Sequence, residues 1–430
     1  MCLLCVAIGI TPLCAQTFRG EIRGTIEDAS GATISEAIVE AVNKGTGQKR
    51  STISGSSGEF SMPDLPLGPY TVTVNKTGFQ SQQSDVEVVV SRVSNMAFRL
   101  GVASQAATVD VMASIPQVET TSTTLTGIVN TKTVSDLPMN GRDFRQMLKL
   151  SAGVNPVGNS VNGNRTRGNN YQIDGADNND GFQNTSAVNQ GGVAGIAGTL
   201  LPVEAIDQFS VAFSGSAEMG RNGGGIVNLV IKSGTNQLHG SAYYFNRNEY
   251  FAANTPLAAA GAGVRRIRNN QYGFSAGGPI IRDKTFFFVT GETQKADAAN
   301  ATGVTTLSPA WLEQGRAILQ QFNVQENPVT RGIINFYPAR IRTGPAVVNN
   351  FFSTDANTYD SYNGIIKIDH NFNSAHNLSG RYYGGTGTQA AVVNANAPYL
   401  EYFQVAPSRM HNVSVALNSV LSPRIVNNLV

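Results

Sequence analysis

The sequence predicts a mostly β protein in three parts: an immunoglobulin-like β-sandwich, a small α/β domain, and the first strands of an incomplete transmembrane antiparallel β-barrel. Many short runs alternate apolar and polar residues with the period of two that strands require. Only 14% of the 430 residues are charged, compared with about 25% in soluble domains. The 45 glycines indicate many turns. Together these observations favour β-structure whose surface does not face water on every side.

The overall charge argues against a nucleic-acid partner. The formal net charge is +2, and no basic run of the kind that neutralises phosphates occurs. After the N-terminal segment there is no apolar stretch long enough for a transmembrane helix. Because backbone polar groups must be paired within hydrocarbon, only helices and closed barrels cross a bilayer. A barrel is therefore the membrane-spanning structure we expect.

Residues 1–15 predict a secretory signal peptide. The segment is apolar and ends in Leu-Cys-Ala before Gln16, as a small-residue cleavage site does. No Lys or Arg precedes Arg19, so we expect the signal to be truncated at its start. The Cys-x-x-Cys within it lacks the βαβ pattern of a redox motif, and the mature chain would hold no cysteine. The three cysteines are Cys2, Cys5 and Cys14.

Residues 17–100 predict the sandwich. Alternating runs such as 70–75 and 86–90 are separated by turns at 28–31 and 55–58. Seven or so short strands in about eighty residues are typical of an immunoglobulin-like sandwich. This part contains no histidine and no metal-ligand cluster, so we expect a binding or spacer module.

Residues 101–126 are rich in Thr, Ser and Ala and predict a linker, and residues 127–235 predict the α/β domain. Helical spacing of Phe144, Met147 and Leu148 indicates one short helix at 143–150. A second short helix is predicted at 203–209.

Residues 236–430 predict barrel strands. Outward apolar residues alternate with inward Gly, Ser, Asn, Lys and Asp, as in membrane barrels, although a soluble sandwich gives similar single strands. The long stretch 295–351, predicted to lack regular structure, argues against a compact soluble domain. Barrels that enclose a domain have about 22 strands, so we expect this chain to be a fragment. The six predicted strands are 240–248, 271–277, 285–290, 366–372, 378–383 and 412–417.

Five sequence blocks resemble one known family in its own order. They are LPMNGRDF at 137–144, YQIDGADNND at 171–180, LPVEAIDQF at 201–209, SAEMGRNGGGIVNLVIKSGTNQLHGS at 216–241 and GGPIIRDKTFFF at 277–288. The blocks resemble TonB-dependent outer-membrane receptors of the Oar-like branch. The glycine and aromatic pattern at 58–60, 67–70 and 78–79 resembles the carboxypeptidase-regulatory-like domain that this branch carries at its N-terminus.

The resemblance implies a receptor or transporter in the outer membrane of a Gram-negative-type bacterium. Residues 127–235 would form the plug and 236–430 the first part of the barrel. The implied function is energised uptake of an unknown ligand through the plugged barrel, with no enzyme activity, no cofactor and no metal. The implied partners are a TonB-type energiser in the periplasm, outer-membrane lipid, and an extracellular ligand for which carbohydrate and peptide are both candidates.

The resemblance also implies three groups of site residues. The TonB box, which pairs with the energiser by strand addition, would be Thr108, Val109, Asp110, Val111, Met112 and Ala113. The plug motif would be Asp174, Gly175, Asp177, Asn178 and Asn179. The plug–barrel junction would be Glu218, Gly220, Arg221, Asn222, Gly223 and Gly224. Glu218 and Arg221 would pair either between plug and barrel or in solvent.

Other interpretations of the same residues remain open. Residues 108–113 would otherwise be plain linker or a first plug strand. Residues 174–181 suggest an irregular calcium site, although an EF-hand alignment fails because Ala176 and Ala187 would occupy ligand positions. A hydrolase elbow at 273–277 needs a helix after Ser275, which Gly278-Pro279 prevents. An outer-membrane-anchored binding or adhesion protein that uses the sandwich is the alternative function.

Overall fold

The computed structural model describes residues 19–102, 109–112, 126–129, 133–134, 139, 142–155, 158–181, 184–189, 199–213, 223–253, 264, 266–299, 303–336, 342, 344–348, 350–352, 356–392, 403–422 and 425–430. The predicted signal peptide lies outside these residues. Among the described helices, none is both long enough and apolar enough to cross a membrane.

The N-terminal part is a sandwich of two sheets, which we call the sandwich. The orders are β4-β1-β7 and β3-β2-β5-β6-β8, and β1 runs parallel to β7. Alternate residues of β1 to β7 point inward, so that Val72, Val74 and Phe60 are buried between the sheets. The strands are β1 (Gly20–Asp28), β2 (Ile38–Asn43), β3 (Lys49–Ile53), β4 (Glu59–Leu65), β5 (Gly68–Asn75), β6 (Gln82–Val88), β7 (Val93–Leu100) and β8 (Val109–Met112).

The second part is a five-stranded sheet of order β11-β10-β13-β12-β9. All six residues of its central strand are buried. This sheet and the residues packed on it are called the plug. Its strands are β9 (Thr126–Val129), β10 (Asn170–Ile173), β11 (Ala176–Asp177), β12 (Ile206–Ala212) and β13 (Ile226–Ile231).

One helix prediction for the plug is confirmed and the other is wrong. A 3₁₀ helix spans Phe144–Leu150, and the Asp143 side chain caps it by accepting from Arg145 N at 3.0 Å. At the second position a 3₁₀ turn covers only Val203–Ala205, and strand β12 follows directly. β12 is buried and pairs with strands on both sides, so its apolar run does not reveal the strand period.

The third part is an open antiparallel sheet of order β14-β15-β16-β19-β20-β21-β22, which we call the wall. All six predicted strands are present, with a seventh after them. Its strands are β14 (His239–Asn248), β15 (Ile267–Ile281), β16 (Thr285–Ala299), β19 (Ala356–Asn371), β20 (His376–Val392), β21 (Phe403–Ser422) and β22 (Ile425–Leu429). Two short strands, β17 (Gly303–Val304) and β18 (Phe351–Phe352), pair with each other between β16 and β19.

The wall strands are longer than predicted. β15 has 15 residues and β21 has 20, because the ladder continues through polar stretches where hydrophobic alternation fades. The prediction that 295–351 lacks regular structure is wrong. This segment contains α1 (Pro309–Gln321), capped by the Ser308 side chain, and α2 (Pro328–Phe336).

The wall has one face toward the plug and one away from it. On β19, Ile366 and Ile368 are 51% and 45% exposed, whereas Lys367 between them is 4% exposed. Phe288, Ile365 and Tyr383 of the wall belong to the same buried cluster as the plug core. The wall has short turns at one end, such as 282–284, and long connections at the other, such as 300–355. The end with short turns is called the short-turn end.

Candidate functional site between plug and wall

The turn between β10 and β11 brings Asp174 to the wall. Asp174 and Gly175 have φ values of 50° and 77°, and they connect the paired residues Ile173 and Ala176. Positive φ at both central residues is the requirement of a type I′ hairpin turn, for which Asp-Gly is a preferred sequence. Asp174 is 5% exposed, and its Oδ1 accepts a hydrogen bond from Ile231 N at 2.9 Å.

Two cationic side chains of the wall meet this carboxylate. Lys367 Nζ lies 3.5 Å from Asp174 Oδ1 and donates to Ile231 O at 2.9 Å. Arg381 Nε lies 3.2 Å from Asp174 Oδ2, without hydrogen-bonding angles, so charge attraction dominates this contact. Arg381 Nη2 also donates to Ile173 O at 3.4 Å. We call Asp174, Lys367 and Arg381 the latch.

The latch solves a problem that the wall itself creates. Lys367 and Arg381 are directly paired across β19 and β20, and both are at most 4% exposed. Like charges placed opposite each other in a sheet destabilise it. A buried charge is tolerated only when it is paired and hydrogen-bonded. Asp174 supplies the negative charge that neutralises them, so the stability of these two buried cations depends on the plug being packed against the wall.

A second contact holds plug backbone to the wall. Leu200 N donates to Asn363 Oδ1 at 3.1 Å, and Tyr383 Oη donates to Leu200 O at 3.1 Å. Tyr383 is fully buried. This region of the plug is therefore fixed by side chains of β19 and β20, the same strands that carry the latch.

A third contact joins the plug to β14. Arg142 Nη2 lies 3.1 Å from Glu204 Oε1, and its guanidinium lies 4.1 Å from the ring centroid of Phe245. Lys232 Nζ lies 3.9 Å from Glu204 Oε2. Within the wall beside this contact, Tyr243 Oη of β14 donates to Glu292 Oε2 of β16 at 2.7 Å. Charge and cation–π attraction thus supplement apolar packing at this edge.

Comparison with known proteins agrees with this architecture. The family model described as "Outer membrane beta barrel domain" matches residues 230–430, and that described as "Carboxypeptidase regulatory-like domain" matches residues 21–101. The TonB-dependent transporter Oar of Myxococcus xanthus is 25% identical over 293 residues, covering 62% of this chain and 26% of that protein. This chain is related to the TonB-dependent outer-membrane receptors of the Oar type.

Two further proteins are similar to this chain. The probable TonB-dependent siderophore receptor PirA of Acinetobacter baumannii is 29% identical over 187 residues, covering 40% of this chain and 23% of that protein. A mutant of the ferric enterobactin receptor of Pseudomonas aeruginosa is a structural neighbour with 15% identity and a TM-score of 0.43, covering 69% of this chain and 38% of that one. The chain spans about a quarter of the length of the curated relatives that it matches. It is an outer-membrane protein.

The residues of the predicted plug motif lie in two different environments. Asp174 reaches the wall, whereas the polar groups after it bind one another. Asp177 Oδ1 accepts from Asn179 N at 2.7 Å, and Asn178 Nδ2 donates to Ser186 Oγ at 3.1 Å. These bonds favour the structural turn over the calcium alternative. In the part of the chain that the structure describes, no group of three or more His, Cys, Asp or Glu is arranged to hold a metal ion.

The predicted junction residues fall before a plug strand. Glu218, Gly220, Arg221 and Asn222 lie outside the described residues, so their predicted pairing stays a prediction. Gly223 and Gly224 lead into β13, the centre of the plug sheet. The chain crosses to the wall only after β13, through residues 232–238.

The structure also describes Ser275 and four of the TonB-box candidates. Ser275 lies within β15 with its Oγ 2.9 Å from Ser241 Oγ, so the strand–turn–helix of a hydrolase elbow does not form there. Of the TonB-box candidates, Val109–Met112 form β8, while Thr108 and Ala113 lie outside the described residues.

Sequence reasoning missed the latch cations and the contacts of Tyr383 and Arg142. A signal for Lys367 was present, since it interrupts the apolar pair Ile366 and Ile368 at an inward position. No local pattern indicated its partner, because Asp174 is far away in the sequence.

Proposed function

We propose that this receptor takes up an extracellular ligand by energised displacement of its plug, driven by a TonB-type partner in the periplasm. The observation that carries the proposal is the latch, in which a plug carboxylate neutralises two cations of the wall. Removing one member of a buried ion pair costs about 3–5 kcal/mol, so the resting plug resists displacement. Water that enters as the plug moves solvates all three charges again, so the contact is reversible.

The order of plug strands indicates where a pull would act first. The linker that carries the TonB-box candidates enters the plug at β9, the edge strand at the opposite side of the sheet from β11. Among the described strands, β9 pairs with β12 alone, through four residue pairs. Each backbone hydrogen bond contributes about 0.5–1.5 kcal/mol net, so β9 would separate before the central strands. The proposed passage therefore begins to open beside β12, and the latch on the far side of the plug would separate later, as displacement continues.

The position of the sandwich bears on the adhesion alternative. Asn236 N donates to Gly45 O at 2.8 Å, and Arg19 Nη2 donates to Asn377 Oδ1 at 2.7 Å, both near the short-turn end. In outer-membrane barrels short turns face the periplasm and long loops face outward. These contacts favour a periplasmic sandwich over one that binds partners at the cell surface.

Uptake in cells tests the proposal. Cells with the intact receptor, cells with a receptor lacking residues 108–113, and cells treated with an uncoupler would be given the same mixture of peptides and oligosaccharides. We expect at least one compound to be depleted from the medium only by untreated cells with the intact receptor. Depletion that persists both with the deletion and with the uncoupler would overturn energised transport. Binding of a compound at the cell surface without depletion would support the adhesion alternative.

A further inference from the structure

The TonB-box candidate is paired with the sandwich. β8 lies at the edge of the sheet β3-β2-β5-β6-β8 and runs parallel to β6. The register joins Gln82 to Val109, Gln83 to Asp110, Ser84 to Val111 and Asp85 to Met112. The segment predicted to bind the energiser by strand addition is therefore already a strand of another sheet.

We propose that the sandwich is an intramolecular inhibitor, whose β6 edge competes with the periplasmic partner for β8. The inference rests on the proposed function, since it takes β8 as the segment that the partner grips. In the resting receptor β8 is paired with β6. Coupling begins when β8 leaves that edge and pairs with the partner instead.

The path of mechanical load explains why β8 must leave. The sandwich is bonded to the rest of the receptor by Arg19 with Asn377, by Gly45 with Asn236, and by Val90 N with Gln208 Oε1 at 2.8 Å. A partner that pulled β8 while it was paired with β6 would load the sandwich and, through it, the wall. Only a released β8 passes tension through residues 113–125 to β9 of the plug.

The tether to β8 makes the sandwich an effective competitor. The preceding chain is fixed on the sandwich, because Gln80 N donates to Gly101 O at 2.8 Å and Phe79 forms a β-bridge with Val102. Residues 103–108 then span at most about 3.6 Å each, so β8 stays close to the β6 edge. Short tethers give effective concentrations of about millimolar. The partner must therefore compete for β8 with a β6 edge that is present at a high local concentration.

The pairing is also short enough to release. It comprises four residue pairs of a parallel ladder, which is slightly less stable per residue than an antiparallel one. Strand addition by a partner offers the same kind of backbone bonds plus side-chain pockets. The pairing of β8 with β6 and its pairing with the partner are therefore similar in free energy, so that partner binding or force can shift the equilibrium between them.

A reversible cross-link tests the competition. In the double variant Gln83→Cys/Asp110→Cys, a disulfide would join two residues that are in register on β6 and β8. Binding of the soluble periplasmic domain of a TonB protein to the purified full chain in lipid nanodiscs would be measured before and after reduction. We expect the oxidised receptor to bind at least tenfold more weakly and to regain affinity on reduction.

Matched variants separate the effect of the cross-link from that of the substitutions. Asp110→Cys alone reports the effect of altering the segment itself. Glu40→Cys/Ser51→Cys places an equivalent disulfide between the in-register residues of β2 and β3, away from β8. We expect neither control to change its affinity on reduction.

Two results would overturn the inference while leaving the proposed function intact. One is equal affinity in the oxidised and reduced double variant, which would mean that the partner adds to the free edge of β8 or binds elsewhere. The other is failure of the β6–β8 pair to oxidise when the β2–β3 pair does. If neither the wild type nor the reduced variant binds the TonB domain, both the inference and the proposed function fail.

Discussion

At the scale of single residues, the charge of Asp174 contributes more to the stability of the plug than its hydrogen bond does. We expect Asp174→Asn to keep an acceptor for Ile231 N and to tolerate the positive φ, while removing the negative charge that pairs with Lys367 and Arg381. The plug should be destabilised by about 3–5 kcal/mol. Urea titration of the membrane-inserted protein, followed by protease cleavage within the plug, measures the change.

Two companion variants make that prediction specific. Asp177→Asn alters an exposed aspartate of the same motif and should leave the cleavage midpoint unchanged. Adding Lys367→Met to Asp174→Asn removes one of two opposed cations and should recover part of the lost stability. Equal midpoints for Asp174→Asn and Asp177→Asn would show that the latch does not hold the plug.

Tyr70 gives the sandwich a predictable dependence on alkaline pH. Burial raises the pKa of Tyr70 to about 12, and its hydroxyl donates to Pro66 O at 2.9 Å. Since an unfolded tyrosine has a pKa of about 10, the unfolded state loses its proton first. The contribution of Tyr70 is complete below pH 10 and falls by roughly 3 kcal/mol as the pH rises to 12.

Comparison with Tyr70→Phe isolates this effect from that of other tyrosines. The free energy of unfolding of the sandwich would be measured by urea titration of the full chain between pH 9 and 12. It should decrease with pH more steeply in the wild type than in the variant. If the free energies of unfolding of the wild type and of Tyr70→Phe decreased in parallel with pH, folding would not raise the pKa of Tyr70.

At the scale of elements, the segment that crosses from plug to wall depends on close backbone approach. A Cβ at Gly234 would collide with Phe287 O and with the backbone of Gly278. Neither neighbour is a flexible side chain, so Gly234→Ala should cost about 1–3 kcal/mol through overpacking. The displaced segment would also weaken the bond between Asn236 and Asp283.

Hydrogen exchange at the Asn236 amide measures this displacement. We expect faster exchange in Gly234→Ala and no change in Gly223→Ala, because a Cβ at Gly223 meets nothing within 4 Å. Similar exchange in both variants would refute the claim that close approach positions this segment.

Element boundaries show where local sequence patterns stop being informative. The wall strands were found from cores such as 366–372, but β19 begins at Ala356, well before the apolar alternation. Its earlier inward residues, among them Ser361 and Asn363, are polar because they face the plug rather than lipid. β12 was predicted as a helix for the opposite reason, since burial on both faces removes alternation.

At the scale of the whole molecule, the outward face of the wall should contact lipid. Ile366 points away from the plug and lies near the middle of the wall, 51% exposed. A Lys at the bilayer midplane of a barrel costs about 2–4 kcal/mol, so Ile366→Lys should lower the yield of receptor inserted into lipid vesicles. Val348→Lys, at a 73% exposed site in the connection between β16 and β19, should insert normally. Equal yields would contradict a lipid-facing β19.

The docking of the sandwich is a separate property of the whole molecule. A cavity of about 420 Å³ lies between sandwich, plug and wall, lined by Arg19, Lys232 and Asn371 among others. Hydrogen bonds such as those of Arg19 with Asn377 and of Val90 with Gln208 join the sandwich to its neighbours, and the buried apolar cluster of the sandwich is separate from that of the plug. An interface of this kind is typical of domains that can move relative to their neighbours.

The sequence by itself determined the class of each part. Strand alternation, glycine turns and low charge are local properties, and they predicted a sandwich, a mixed plug and a membrane wall in the observed order. The Asp-Gly turn at Asp174 was likewise encoded locally. Only the tertiary structure decided that Asp174 neutralises Lys367 and Arg381, and that Val109–Met112 pairs with β6. Both depend on contacts between distant segments, which form only when burial and backbone pairing bring those segments together.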